Sequence, residues 1–575
     1  MYEFEISKDG KKILKKNHNG KYRYLGSFYN HNKDIEEFIS NVGEINDSTI
    51  IITYGLADAE HLLKLVDIKH PESKLIIFEK DENLINDIKN NDYYVNLNND
   101  KNTYIIEYDQ KNINLNLWKL VSLNNLFNIK IVSYKILEKY NYKELITITN
   151  EIESFRKQKI IDNNTINKFS EKWFKLFISN FKYTLGSTII NDLKDTMKDK
   201  PAIIVSAGPS LEKNISLLKE CKDNFIIISG GRTLKSLSNI GVKPDFIGVI
   251  DSGEVSYDLT KDYINTDTPL LFTNTTHEKI LANHKGKKIY NGATMDFIGY
   301  ATGKQVEGMS TGGSIAHTCT EFAAYLGCNP IIFIGQDLAY TNNKLHANIA
   351  ENNDKYKKLE KINIKNSIFV DDIYGNKVRT NNLFYSFKVS LENIINKYPN
   401  ITFINATEGG ANIKNTTVLT LKETISEYSD LVDTSFLDLK ESLSEDEKKK
   451  VIYEFENSIK LLREIKEKSK ICLRLNEKLN KAYNKKDLKQ YYIIDNKIRQ
   501  CEKDIKLASL KVPFIASLLN PIISKVMLDR KWIINDSEND KEKFKKIYEK
   551  TKYMYSEICL KIDFALKYIE ESYEV

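Results

Sequence analysis

Pro201–Glu212 reads PAIIVSAGPSLE. Ala202–Val205 has the composition of a short buried strand. It stops in a small-residue turn, Ser206-Ala207-Gly208-Pro209-Ser210, and Leu211, Ile215 and Leu218 then recur at helical spacing. A strand that ends in a tight turn at a helix start aims unpaired backbone N–H groups at one spot, which favours an anion and most often a phosphate. The rest of the chain can be read outward from this turn.

Around it, short apolar runs alternate with helical ones across residues 199–420: Phe225–Ser229, Phe246–Ile250, Leu270–Thr273, Lys288–Tyr290, Ile331–Ile334 and Ile401–Ile404. This alternation predicts a largely parallel sheet covered on both faces. Ligands of such sheets sit at the carboxyl ends of the strands, so the residues just after each strand are the candidates. They are Gly230-Gly231-Arg232-Thr233, Asp251-Ser252-Gly253-Glu254, Asn274-Thr275-Thr276-His277 and Gly335-Gln336-Asp337-Leu338-Ala339-Tyr340. Gly308-Met309-Ser310-Thr311-Gly312-Gly313-Ser314 opens a further helix, Ile315–Leu326, and reads as a second anion nest. Glycine lets backbone approach a ligand, and Ser, Thr and Asn bond sugar hydroxyls and phosphate; a nucleotide carrying a sugar suits these loops. Asp251, an acid directly after a buried strand, reads as a ligand binder. His346, in the polar loop TNNKLHA, has the intrinsic pKa of a general base. Tyr340 can donate to a phosphate oxygen or simply pack, and His317, inside a helix, reads as a buried, hydrogen-bonded residue.

Several chemistries find no motif. Gly299–Gln305 (GYATGKQ) is one spacer short of a phosphate-binding P-loop and lacks its final hydroxyl residue. There is no HExxH, CxxC or GxSxG. The six cysteines are scattered, which fits a reducing cytoplasm. The N-terminus lacks the apolar run of a signal peptide, and no stretch reaches the length of a membrane helix. With 85 basic against 79 acidic residues, the net charge of +6 does not indicate a dedicated nucleic-acid binder.

At 575 residues the chain should form about three domains. Residues 1–150 read as a Rossmann-like α/β domain: strand Ser48–Thr53, Tyr54-Gly55, helix Glu60–Val66, then strand Lys74–Phe78 ending in Glu79. With one glycine where a dinucleotide fingerprint needs three, the domain is expected to be structural. Residues 151–198 read as a helical connector. Trp173, Phe174, Phe177 and Phe181 on it make a stripe expected to pack between the first and second domains. Residues 421–575 read as a helical domain opened by a capping box at Ser444–Glu447. Within it, Lys511–Met527 is either core at a helix bend or a groove for a protein partner.

KPAIIVSAGPSLEKNI, GVKPDFIGVID, GMSTGGSIAHTC and GCNPIIFIGQDLAYTNNKLHA, in this order, resemble the motility-associated-factor glycosyltransferases, which modify bacterial flagellin. The same region resembles the archaeal 6-hydroxymethylpterin pyrophosphokinases and, distantly, bacterial sialyltransferases. The resemblance implies a sialyltransferase-like Rossmann fold for residues 199–420 and a flagellin-binding role for the helical tail. It implies transfer of a nonulosonic acid (pseudaminic or legionaminic type, or a related keto-sugar acid) from a CMP-activated donor to flagellin Ser/Thr in the cytoplasm. Ala207, Gly208, Pro209 and Ser210 would then hold CMP, and Ser310, Thr311 and Gly312, with Gly313 and Ser314, would contact the donor's ribose or carboxylate. Gln336 and Asp337 would lie at the cytidine side and Tyr340 near the leaving phosphate. Gly231, Arg232, Thr233, Asp251, Glu254 and Asn274 complete the donor site, and His346, Asp251 and Tyr340 are the catalytic candidates. The sequence requires no cofactor and no metal, Asp251–Glu254 being the nearest approach to a metal-binding acid pair. Diphosphate transfer from ATP to a pterin and a non-catalytic flagellin chaperone are the two competing readings.

Overall fold

The computed structural model describes residues 2–18, 21–90, 94–309, 313–350, 367–428, 439–532 and 538–573. The chain divides into two compact units, Met1–Lys168 with Pro521–Lys550, and Phe169–Asn520 with Thr551–Val575.

The first unit opens on an antiparallel meander, β1 (Tyr2–Ile6), β2 (Lys12–His18) and β3 (Lys21–Tyr24). A parallel sheet follows, built from β4 (Ile50–Tyr54), β5 (Lys74–Glu79), β6 (Thr103–Glu107) and β7 (Ile129–Ile131) in the order β6-β5-β4-β7. β4 is buried along its whole length because helices cover both of its faces, so its sequence is a continuous apolar run rather than an alternating one.

The second unit holds a sheet that is parallel throughout. Its strands are β8 (Thr188–Ile189), β9 (Ala202–Val205), β10 (Ile226–Gly230), β11 (Phe246–Gly248), β12 (Leu270–Phe272), β13 (Lys288–Tyr290) and β14 (Ile331–Ile334). After β14 comes a separate antiparallel hairpin, β15 (Ile368–Asp371) and β16 (Lys377–Thr380), and then β17 (Phe403–Asn405) and β18 (Thr417–Val418) return to the main sheet. Among the described residues the order is β18-β17-β14-β9-β10-β11-β12-β13-β8. The expected α/β architecture with a helical C-terminal region is thus observed. From β9 the chain steps outward through β10, β11, β12 and β13, then returns to lay β14 on the other flank of β9. The order therefore reverses at β9/β14, the place where open α/β sheets bind ligands.

The helical region begins at the expected cap. Ser444 Oγ accepts from Glu447 N, and Ser444 N donates to the Glu447 carboxylate at 3.0 Å. Helices Glu445–Asn484 and Leu488–Lys511 run antiparallel, with Tyr483 beside Tyr491 near their turn and Lys468 bonded to Asp504 further along. The aromatic stripe packs differently from the expectation. Phe177 stacks on Phe514 at 4.9 Å, Phe181 on Phe455 at 4.7 Å, and both meet Phe297, so the stripe joins the C-terminal helices to the second α/β domain. In Lys511–Met527 the side chains of Phe514, Ile515, Leu518 and Leu519 are fully buried, which decides between the two readings of this segment in favour of core. All six cysteines are free thiols, and among the described residues no helix is long and apolar enough to cross a membrane.

Candidate functional site at the strand ends of the parallel sheet

The turn after β9 and the loop after β14 are locked together. Gly208 N donates to Gly335 O at 2.8 Å, and the Ser206 hydroxyl bonds Gln336 Oε1. A Cβ on Gly208 would lie 2.1 Å from Asp337 Oδ2, and one on Gly335, whose φ is +62°, would lie 2.1 Å from Ser206 O. Only glycine permits this approach at either position. Asp337 is buried and accepts from Ser210 N at 3.2 Å and from Ser210 Oγ at 2.7 Å; burial raises its pKa, while Thr341 and Ser210 oppose the rise.

Three of the turn's N–H groups, which the phosphate-cradle reading left for a ligand, are bonded to protein instead. Ser206 N donates to Ile334 O, Gly208 N to Gly335 O, Ser210 N to Asp337, and Leu211 N to Gly208 O. Pro209 has no N–H to offer. The helix that follows is a single turn, Leu211–Asn214, too short for a developed dipole. Ser210 and Asp337 are thus partners of each other. Ser210→Ala is expected to destabilise the protein by about 1–3 kcal/mol, the penalty for removing a donor from a buried acceptor; chemical denaturation measures it.

The groups able to meet a charged substrate lie one strand further along. Arg232, half-buried after β10, is close enough to Asp251, after β11, to lower its pKa, and to His346 to lower that one too. Burial outweighs Arg232 at Asp251 and leaves the carboxyl pKa raised, although the side chain is exposed to water. His346 is half-buried, and burial first, then Arg232, pushes its pKa down to about 3 despite a hydrogen bond with the Ala207 backbone. The helix Ile315–Tyr325 packs across the same strand ends. A Cβ on Gly230 would lie 2.9 Å from Ile315 and one on Gly248 would lie 2.8 Å from Cys319, so both glycines make room for it. Ala207, Arg232, Asp251, His346 and the start of this helix form one neighbourhood.

The other expected residues fall outside that neighbourhood or are engaged by protein. Thr233 is buried and its hydroxyl serves Ser229 and the β9 and β10 carbonyls, while a Cβ on Gly231 would lie 2.5 Å from Thr260. Glu254 is exposed and pairs with His277 at 3.0 Å. Asn274 is buried, with its amide donating to Met295 O. Gly313 has φ +81° under the Phe387 ring, and Ser314 is the N-cap of the helix. Ser310, Thr311 and Gly312 lie outside the described residues. Tyr340 is buried, its hydroxyl accepts from Asn381, and its ring packs on Phe384. His317 is buried with Nε2 on Phe387 O, as expected. Among the described residues no group of three or more His, Cys, Asp and Glu side chains is arranged to hold a metal ion.

Two contributors were missed. Thr407-Glu408-Gly409-Gly410 follows β17, and a Cβ on Gly410, φ +78°, would lie 2.3 Å from Asp337 O. The same rule of small residues after a strand points to it. The β15–β16 hairpin holds the β14 loop through Arg379 O, which accepts from Tyr340 N, and Thr380 Oγ, which donates to Leu338 O. No apolar alternation marks it.

Residues 175–343 match the family model described as 6-hydroxymethylpterin diphosphokinase MptE-like. No curated protein sequence matches the chain. In structure the chain is similar to a MAf glycosyltransferase from Magnetospirillum magneticum AMB-1, with a TM-score of 0.58 at 15% identity, covering 99% of this chain and 93% of that one. Over nearly its whole length the chain is thus similar in fold to a MAf glycosyltransferase, and its central residues 175–343 are similar to the MptE-like family.

Proposed function

We propose that this chain is a cytoplasmic glycosyltransferase that moves a nonulosonic acid from its CMP-activated form to Ser/Thr hydroxyls of flagellin. The observation that carries the reading is that Arg232 and Asp251 follow adjacent strands beside the switch point of the sheet, near enough for the guanidinium to act on the carboxyl. Likeness in fold to a glycosyltransferase over nearly the full chain supports it.

A CMP-activated keto-sugar acid has a good leaving group, so the protein must chiefly stabilise the departing phosphate and remove the acceptor's proton. Arg232 offers a guanidinium fork for the phosphate. Asp251 is the better base. A general base works best with a pKa near the working pH, and burial moves this carboxyl upward toward that range. His346, at about 3, is neutral at pH 7 but too weakly basic for the task, and it serves as a hydrogen-bonding wall beside Ala207. The acid limb of the pH–rate profile is therefore expected above the ordinary aspartate value, because Asp251 must be ionised to act. His346→Ala should leave that limb in place, and Asp251→Asn should abolish it along with most of the rate. Steady-state rates from pH 4 to 8 check this.

The decisive experiment weighs intact flagellin after co-expression with this chain and a pathway that makes the CMP-sugar. A mass increase that disappears with Asp251→Asn supports the proposal; an unchanged mass with the wild-type chain overturns it. The MptE-like match favours a second reading, diphosphate transfer from ATP to a pterin. Calorimetry separates the two: binding of CMP without ATP supports glycosyl transfer, and binding of ATP without CMP supports the pterin reaction.

A further inference from the structure

The first unit contains a cavity of about 540 Å³ of its own. It opens at the carboxyl ends of β4 and β5, where Tyr54-Gly55 and Glu79-Lys80 line it. This sheet also reverses its order there. The chain leaves β4 for β5 and β6, then returns to set β7 on the other flank of β4. The cavity thus occupies the ligand position of a second open parallel sheet.

From these observations we infer that the cavity binds a ribonucleoside lacking a di- or triphosphate. In nucleotide-binding sheets of this kind an acid at the end of the second strand receives the ribose hydroxyls; Glu79 holds that place. Its Oε2 accepts from Leu56 N at 2.8 Å, and its Oε1 accepts from Lys80 N at 2.8 Å and Asp81 N at 2.9 Å. An ionised carboxylate has about four acceptor positions, so this one is held rigidly and keeps one position for a ligand hydroxyl. Tyr54 and Tyr140 supply aromatic surface for a base, and the Arg23 guanidinium lies 5.3 Å from the Tyr140 ring centre. The phosphates are excluded by two features. Gly55, φ +90°, makes room for Leu137, whose Cδ1 would be 2.5 Å from an added Cβ, so the turn is filled by protein rather than left open to a pyrophosphate. The lining acids Asp81 and Glu144 lie 3.5 and 3.9 Å from Lys16 and Lys80, which offsets the positive charge a polyphosphate would need.

The test is calorimetry on the full-length protein with adenosine, guanosine, cytidine and uridine, each against its 2′-deoxy form. At least one ribonucleoside is expected to bind about tenfold more tightly than its deoxy counterpart. Glu79→Gln would put an amide against three backbone donors and threatens the fold, so the variants are Arg23→Ala and Tyr140→Ala, at the rim. Each should weaken binding about tenfold without moving the thermal midpoint, while Arg232→Ala in the second unit should not change it. The inference is overturned if no ribonucleoside binds at millimolar concentration, if ribose and deoxyribose are not distinguished, or if binding tracks Arg232 rather than Arg23 and Tyr140. Of these results only the last bears on glycosyl transfer, because it would place the nucleoside at the strand-end site of Arg232; the other two leave that reading untouched.

Discussion

Arg232→Ala is expected to lower transfer from the sugar nucleotide by about 10²–10³-fold, the usual effect of removing one preorganised group from developing charge. Arg232 is the cation that acts on both Asp251 and His346, and it lowers the pKa of each. Its removal should therefore raise both. The acid limb that belongs to Asp251 moves to higher pH, so the loss in rate is greater at pH 5 than at pH 8. Arg232→Lys should recover only part of the rate, because an ammonium keeps the charge and loses the planar fork. Rates at several pH values, with thermal midpoints as a folding control, decide the matter. A variant that keeps half its rate with an unshifted limb would remove Arg232 from the site.

Gly335→Ala should be among the most damaging single changes to stability. The φ of +62° is unfavourable for alanine by about 1–2 kcal/mol. The greater penalty is steric: the added Cβ would lie 2.1 Å from the Ser206 carbonyl oxygen, a backbone atom that can move only if β9 and β14 separate. A total of about 3 kcal/mol or more is expected, with loss of soluble protein as the first sign. Gly375 provides the control. Its φ is +85°, yet nothing lies within 4 Å of an added Cβ, so Gly375→Ala should show the conformational penalty alone. Equal shifts in thermal midpoint for the two variants would mean that the β9–β14 junction yields easily.

What the sequence made legible follows from which interactions are local. The strands of the parallel sheet are apolar runs such as Ile226–Gly230 and Ile331–Ile334, and their periodicity and flanking turns are visible within a few residues. Whether a backbone N–H in Ser206–Ser210 is unpaired is not local. It depends on β14 and the loop after it, which supply Ile334 O, Gly335 O and Asp337 from far along the chain. The same holds for Arg232, Asp251 and His346. Their residue types were readable, but their mutual electrostatic effects exist only once neighbouring strands are in register. Strands β1 and β15 escaped because they carry exposed apolar residues, and β2 because its buried pair, Ile13 and Leu14, is too short a run to read as a strand. Ile6 and Phe369 are 62% and 60% exposed, so no apolar alternation was imposed on them.

The place of β9 in its sheet also has a consequence for the order in which the molecule is made. As the chain leaves the ribosome, β9 can pair with β10 at once, but its other neighbour, β14, emerges only after β11, β12 and β13. Until then β9 presents a bare apolar edge of the kind that invites pairing with another nascent chain. Ser210 meanwhile waits for Asp337. The β9–β14 junction is thus among the last parts of the sheet to close, and β9 stays open to wrong pairing until β14 arrives.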